Sequence, residues 1–146
     1  MDQAVYGRCA EWIPPNKQGV DRKCLPQQWV FDIFMHNSSH RMIALQNIDY
    51  IHRKAEVANM SDNSKTSYKP QIYLESHSII FRHGFEQLGL ERIYGGTINK
   101  NIPGALERAF NFEIEGIQRK SLFKNGVFND VTLFAVFKDT INYPDF

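Results

Sequence analysis

The sequence predicts an α/β (α+β) fold, a mixed sheet flanked by helices, and three observations carry that prediction. Runs such as Trp29–Phe34 and Val131–Phe137 are dense in β-branched and aromatic residues, the composition of strands. Two stretches, about 71–88 and about 101–111, instead carry helix start and stop signals. Strands and helices are interleaved along the chain and no unit repeats, so both must share one sheet-based core.

Each element has its own local reason. Residues 1–26 are irregular, because Pro14-Pro15, Gly19 and Pro26 break any long helix. Trp29–Phe34 reads as a strand, Asn37-Ser38-Ser39 as a turn and Met42–Ile48 as the partner strand of a hairpin. Ala55–Met60 reads as a third strand. The polar stretch 61–70 is a loop closed by Pro70. A helix follows from about Gln71 to Leu88, with apolar positions at Ile72, Leu74, Ile79, Ile80, Phe81 and Phe85, and Gly89 suits its C-terminal cap. Arg92–Ile98 is a strand whose pair Gly95-Gly96 marks a bulge or a close backbone approach. Asn101 and Pro103 start a second helix, as cap and first-turn residue, which ends near Asn111. A final hairpin begins at Phe112, turns at Lys124-Asn125-Gly126 and returns through the apolar Val131–Phe137 strand, plausible as a central strand.

A chain of 146 residues is expected to form one domain over 1–146. Such a chain buries about two-thirds of its unfolded surface and needs neither disulfide nor metal to fold. Its 17 Lys+Arg balance 16 Asp+Glu, so no global field attracts nucleic acid or an anionic membrane, and neither partner is expected. Apolar residues at 42% and aromatics at 13% exclude a disordered tail protein. No apolar run reaches membrane-spanning length and no signal-peptide core opens the chain, which makes a cytoplasmic protein the expectation. Cys9 and Cys24 fit no zinc spacing and read as free thiols. His36 and His40 flank a turn rather than a helix, so no metal is expected there. All five histidines are expected in exposed or capping roles.

Four segments, taken in order, resemble the GCN5-related N-acetyltransferase (GNAT) superfamily. Within it they are similar to the branch that acetylates ribosomal-protein N-termini and amino-sugar nucleotides. The segments are Asn47-Ile48-Asp49-Tyr50-Ile51-His52-Arg53-Lys54-Ala55-Glu56, then Glu75–Phe85 with Gln87–Ile93, then Asn101 through Gly116, then Ser121–Val131. The resemblance implies a mixed, mostly antiparallel central sheet with helices on it. It covers about two-thirds of the chain. Residues 28–137 form the recognisable core and 1–27 a divergent segment, so the family's N-terminal region is reduced or missing.

For function, the resemblance implies transfer of an acetyl group from acetyl-CoA, a cosubstrate, to a primary amine. The acceptor would be a small-molecule amine such as an amino-sugar nucleotide, or a protein N-terminus. In this family the amine attacks the thioester directly and a backbone N–H holds the oxyanion. Acetyl-CoA lies where two strands splay, which implies pantetheine pairing with the backbone near Asn59 and Met60. The pyrophosphate rests on N–H groups opening the long helix. The usual Gly-x-Gly falls here on Gln71-Ile72-Tyr73, Pro70 removes a donor beside it, and Tyr73 brings bulk to the phosphate seat. Lys65 and Lys69 would supply charge.

Asn101 matches an Asn that hydrogen-bonds the cofactor in relatives, while read from its neighbours alone it is a helix cap. Glu56, on the strand lining the cleft, is the candidate base, acting directly or through water; its other reading is an ion pair with Lys or Arg. Many members use a Tyr to protonate the leaving thiolate. Glu107 matches that position, and acts as an acid only where burial raises its pKa; otherwise it is a surface carboxylate. His52 falls in the loop before Glu56, towards the acceptor site. The lost glycines and the missing Tyr keep open a second expectation, a GNAT-fold binding or assembly module without catalysis. A third is a cleft that takes another ligand altogether. Most of the eleven Phe are expected in the core; Trp12, Trp29 and Phe146 are candidates for a homodimer face, which the family often has.

Overall fold

A computed structural model describes residues 29–35, 38–61 and 70–145. Its elements run β1 (Trp29–Met35), β2 (Ser38–Asp49), β3 (Lys54–Ser61), α1 (Pro70–Arg82), β4 (Arg92–Thr97), α2 (Ile102–Phe110), β5 (Glu113–Lys124) and β6 (Val127–Phe137). The strands form one sheet in the order β1-β2-β3-β4-β6-β5. Only β3 and β4 are parallel; the other neighbours are antiparallel. This is the expected mixed, mostly antiparallel sheet. The irregular segment before residue 28, both cysteines, Trp12 and Phe146 lie outside the described residues.

Both helices cover the same sheet face, and their apolar stripes show how. Along α1 and its continuation, Tyr73, Ser76, His77, Ile80, Phe81 and Phe85 are buried, the i, i+3, i+4, i+7, i+8 spacing of one helical face. Expected apolar positions Leu74 and Ile79 are only half-buried, because the stripe is rotated to include two polar residues. The Ser76 hydroxyl donates to the Tyr73 carbonyl at 2.9 Å, and His77 Nδ1 lies 2.7 Å from the same oxygen, which satisfies these buried atoms locally. In α2 the buried stripe is Pro103, Leu106 and Phe110. A chain of rings, Phe81, Phe110, Phe112 and Phe134, joins the helices to the sheet at centroid distances of 5.1 to 6.5 Å. Gly84 lets α1 approach closely: a Cβ there would lie 3.0 Å from Leu45 and Ile93 side-chain carbons.

Three local expectations change. The β2 strand starts at Ser38 rather than Met42, since Ser38 and Ser39 pair with Met35 and Phe34; partnership with β1 overrides their turn preference. The long helix is α-helical only to Arg82 and finishes as a π-helical turn over His83–Gln87, closed by Leu88 N–H to His83 O at 3.0 Å. Gly89 does cap it, with φ +67° and Leu90 N–H reaching Gly84 O. Asn101 stands at the cap position of α2 but makes no side-chain cap bond. Its own N–H donates to Asn99 Oδ1 at 3.0 Å, so Asn99 organises that turn.

The opposite face of the sheet is mixed where it is described, with Ala44 and Ala135 buried on it. Gln46, Glu56 and Tyr94 are cross-strand neighbours there and only half-buried. At the far edge, β5 is exposed along nearly its whole length and carries two irregularities, at Ile114/Gly116 and Gln118/Leu122. Among the described residues no helix is long and apolar enough to cross a membrane.

Candidate active site

The site begins where a ladder stops. The parallel pairing of β3 with β4 comprises Lys54↔Arg92, Ala55↔Ile93 and Glu56↔Tyr94, and then ends. Yet β3 continues to Ser61 and β4 to Thr97. Backbone groups past Glu56 therefore face a gap instead of a neighbouring strand. The start of the pair is fastened by Arg53, whose carbonyl accepts from Glu91 N–H (2.7 Å) and Arg92 N–H (3.2 Å). The Arg53 side chain donates to Gly89 O at 2.7 Å and pairs with Glu91 at 2.9 Å.

A cavity of about 400 Å³ fills the gap. The consecutive residues Glu56, Val57, Ala58 and Asn59 all line it. Since successive strand residues point to opposite faces, the cavity takes in both faces of the sheet. Tyr73, His77, Ile102 and Leu106 close it on the helix side. Gly96 and Val131 keep it narrow: a Cβ on Gly96 would stand 2.7 Å from Val131 Cγ1. Gly95, beside it, would meet the Phe134 ring at 2.9 Å and Val57 at 3.3 Å, so the glycine pair marks close approach rather than a bulge. A second cavity of about 630 Å³ lies between the helix starts. Tyr73 and Ile102 border both cavities, so the two adjoin.

Glu56 sits at the apex of the gap. Its Oε2 accepts from Asn47 Nδ2 at 2.7 Å and Gln46 Nε2 at 3.3 Å. Asn47 reaches it from a left-handed backbone (φ 50°) at the irregularity in β2, which re-aims the side chain. No Lys or Arg lies within ion-pair distance among the described residues, so the ion-pair role is replaced by neutral amide donors that leave the charge uncompensated. Burial, and then the negative charge of Glu56, push the Tyr94 phenol above its ordinary pKa. Arg92 holds Glu115 in a two-pronged ion pair at 2.6 and 2.5 Å, which pulls the Glu115 carboxyl down and the guanidinium up. Asp49 accepts from Ile51 and His52 N–H and pairs with the His52 ring at 2.7 Å, holding its carboxyl down at about 2.

The remaining expected site residues are placed as follows. Asn59 lines the first cavity and Asn101 the second, while Tyr73 borders both. Tyr73 is only 8% exposed, its ring 4.0 Å from that of His77, so its bulk is turned into the helix–sheet core. The Met60 backbone lies where β3 still pairs with β2 but no longer with β4, and Gln71 and Ile72 lie in the first turn of α1. Lys69 and Lys65 lie outside the described residues. Glu107 is exposed and lines neither cavity. Its neighbour Leu106 is buried, and a rotation of about 100° per residue turns the next side chain outward. His77 corrects the expectation of an exposed histidine: it is 2% exposed and lines the cavity. Its position four residues after Tyr73 on the buried stripe was the available signal. Lys124 and Leu122, on the closing hairpin, also line the cavity, although only a turn was read there.

No family profile matches this sequence, and no characterised protein matches it by sequence. Its three-dimensional relatives are clear. Spermidine N-acetyltransferase from Vibrio cholerae, in complex with CoA and spermine, aligns with TM-score 0.66 at 21% identity, over 78% of this chain and 68% of that one. Ribosomal-protein-S5-alanine acetyltransferase from Vibrio fischeri aligns with TM-score 0.67 at 20% identity, over 77% of this chain. A probable acetyltransferase aligns with TM-score 0.68 at 24% identity, also over 77%. The aligned part spans 63% of each of the last two, less than two-thirds of their length. The fold of this chain is that of the GCN5-related N-acetyltransferases.

Proposed function

We propose that this chain is an acetyl-CoA-dependent N-acetyltransferase acting on a primary amine. The observation that carries the reading is the end of β3–β4 pairing at Glu56↔Tyr94, which opens a cavity with a carboxylate at its apex. The β4-side edge of β3 around Asn59 and Met60, past the end of the β3–β4 ladder, is where the pantetheine arm would add its amides, as a peptide-like partner would. The N–H groups in the first turn of α1, at Gln71, Ile72 and Tyr73, would face the pyrophosphate. Asn101 would contact the cofactor from the adjoining cavity.

In the reaction the amine nitrogen attacks the thioester carbonyl carbon. The tetrahedral intermediate collapses with cleavage of the C–S bond, and the thiolate of CoA leaves. Glu56, directly or through a water, takes the proton that the nitrogen gives up. Its amide partners fix the carboxylate without neutralising it. Acceptors of the kind named for the neighbouring folds, a small amine such as spermine or a protein N-terminal alanine, and an amino-sugar nucleotide, are the candidates.

A second reading is a GNAT-fold module that binds without turnover. The observation favouring it is Pro70 and Tyr73 where a glycine loop would cradle phosphates. Thermal-shift titration with acetyl-CoA and a thiol-release assay over an amine panel separate the two. Saturation at a hundred times the dissociation constant adds about 2.7 kcal/mol to stability. Binding with thiol release supports the transferase, binding without release supports the module, and no shift at millimolar acetyl-CoA removes both.

A further inference from the structure

The first cavity is lined by two residues of opposite charge that no described neighbour neutralises. Glu56 is held by amides alone, and Lys124 has no carboxylate within 4.0 Å among the described residues. Both residues line the cavity, yet they form no ion pair with each other. The hairpin wall beside them is apolar, built from Leu122 and Val131.

Lys124 is held in place by its strand end. Leu122 and Lys124 pair with Asn129 and Val127, two residues apart on β6, so both project from the same side of the ribbon. The Asn125-Gly126 turn has positive φ at both positions (54° and 78°), the hairpin geometry that matches strand twist. Asn129 Nδ2 lies 3.5, 3.4 and 3.1 Å from the carbonyls of Leu122, Lys124 and Val127, tying the tip together. A ligand that fills the cavity displaces water from both charges, and that costs free energy unless the ligand brings the opposite charge to each.

We propose that the acceptor is an amine that also carries an anionic group, phosphate or carboxylate, with the amine at Glu56 and the anion on Lys124. This rests on the transferase reading for the role of Glu56 and narrows its substrate class. It also disfavours polycations, because Lys124 sets a like charge against any second ammonium in the cavity.

The test is calorimetric titration of the full chain, with CoA present, using glucosamine, glucosamine 6-phosphate, glucosaminic acid and spermidine. Glucosamine 6-phosphate binds about tenfold or more tightly than glucosamine, the scale of a charge-assisted hydrogen bond, and glucosaminic acid reports whether a carboxylate serves equally. In K124E the ratio of the two sugars collapses to about one, and in K124R it is kept, with a melting curve on each variant to confirm folding. Equal affinity for glucosamine and its phosphate in the wild type overturns the proposal, as does a ratio that survives K124E. Acetyl transfer to spermidine in preference to glucosamine 6-phosphate sinks the anion site while the transferase stands. A Lys124-dependent preference for the phosphate without any acetyl transfer does the reverse.

Discussion

Glu56 and Tyr94 are the last partners of the parallel β3–β4 ladder, side by side on the sheet face opposite the helices, and the strands separate beyond them. The Glu56 charge is a cause, after burial, of the raised Tyr94 phenol pKa. The reporter and the proposed base are therefore coupled electrostatically. E56Q should lower the pKa of Tyr94 towards its ordinary value, measured by NMR titration of ring-labelled tyrosine. The same variant should reduce turnover by about 10²-fold or more if the carboxylate acts as the base. A Tyr94 titration that does not move would show that the two groups do not sense each other.

Gly95 and Gly96 offer a test in which two adjacent substitutions differ for a physical reason. A Cβ at Gly95 meets the buried Phe134 ring at 2.9 Å, with aromatic neighbours packed behind it. At Gly96 the obstacle is Val131, which is half-buried on the hairpin rather than enclosed among the core rings. G95A should destabilise the protein by about 1–3 kcal/mol in chemical denaturation, and G96A by less, since overpacking costs most where nothing can yield. Equal losses at the two positions would contradict this account.

The Arg92–Glu115 pair joins β4 to β5 and places the guanidinium over Tyr94 and Phe137, at 5.5 and 5.6 Å. Both side chains are about one-third exposed, so solvent screening limits the pair to about 1 kcal/mol in a double-mutant cycle. The sign with pH follows from the lowered Glu115 pKa. Its contribution is full above the unfolded carboxyl value and is lost as pH falls through the lower folded one. E115Q should therefore flatten the acid limb of the stability curve, and an unchanged limb would count against the pairing.

Phe123 and Phe128 face each other across the hairpin with ring centroids 5.0 Å apart, and stand 62% and 64% exposed. Their register places them on the same ribbon face as Ile114 and Ile117, which are also exposed. Large apolar surfaces of this kind mark interaction sites. A second copy of the chain is the partner proposed, with these four side chains as the apolar centre of the contact. Sedimentation equilibrium should show a dimer that F123S/F128S dissociates. A monomer at all concentrations in the wild type would remove the homodimer.

Much of the architecture was legible because its signals are local. Gly89 beyond the long helix, Pro103 in the first turn of α2 and Asn125-Gly126 between strands each act on the backbone through their own φ preferences, and each predicted feature is present. The failures share a cause as well. Asn101 looked like a cap, but its side chain makes no cap bond and its own N–H is held by Asn99 Oδ1. Ser38 and Ser39 looked like a turn until an antiparallel partner enlisted them. In each case a local preference exists, and the partner that the folded chain supplies decides whether it is used.

The sequence by itself determined the order of elements, the mixed sheet and the strand that carries Glu56, because periodicity and turn chemistry act within a few residues. Tertiary structure alone decided where β3 and β4 part, which way each helix is rotated and which hairpin residue reaches the cavity. Helix rotation turned Glu107 to solvent and His77 to the cavity wall. Strand register brought Lys124 into the same space as Glu56, although 67 residues separate them in the chain. Those placements follow from packing between elements distant in sequence, and no local propensity encodes that.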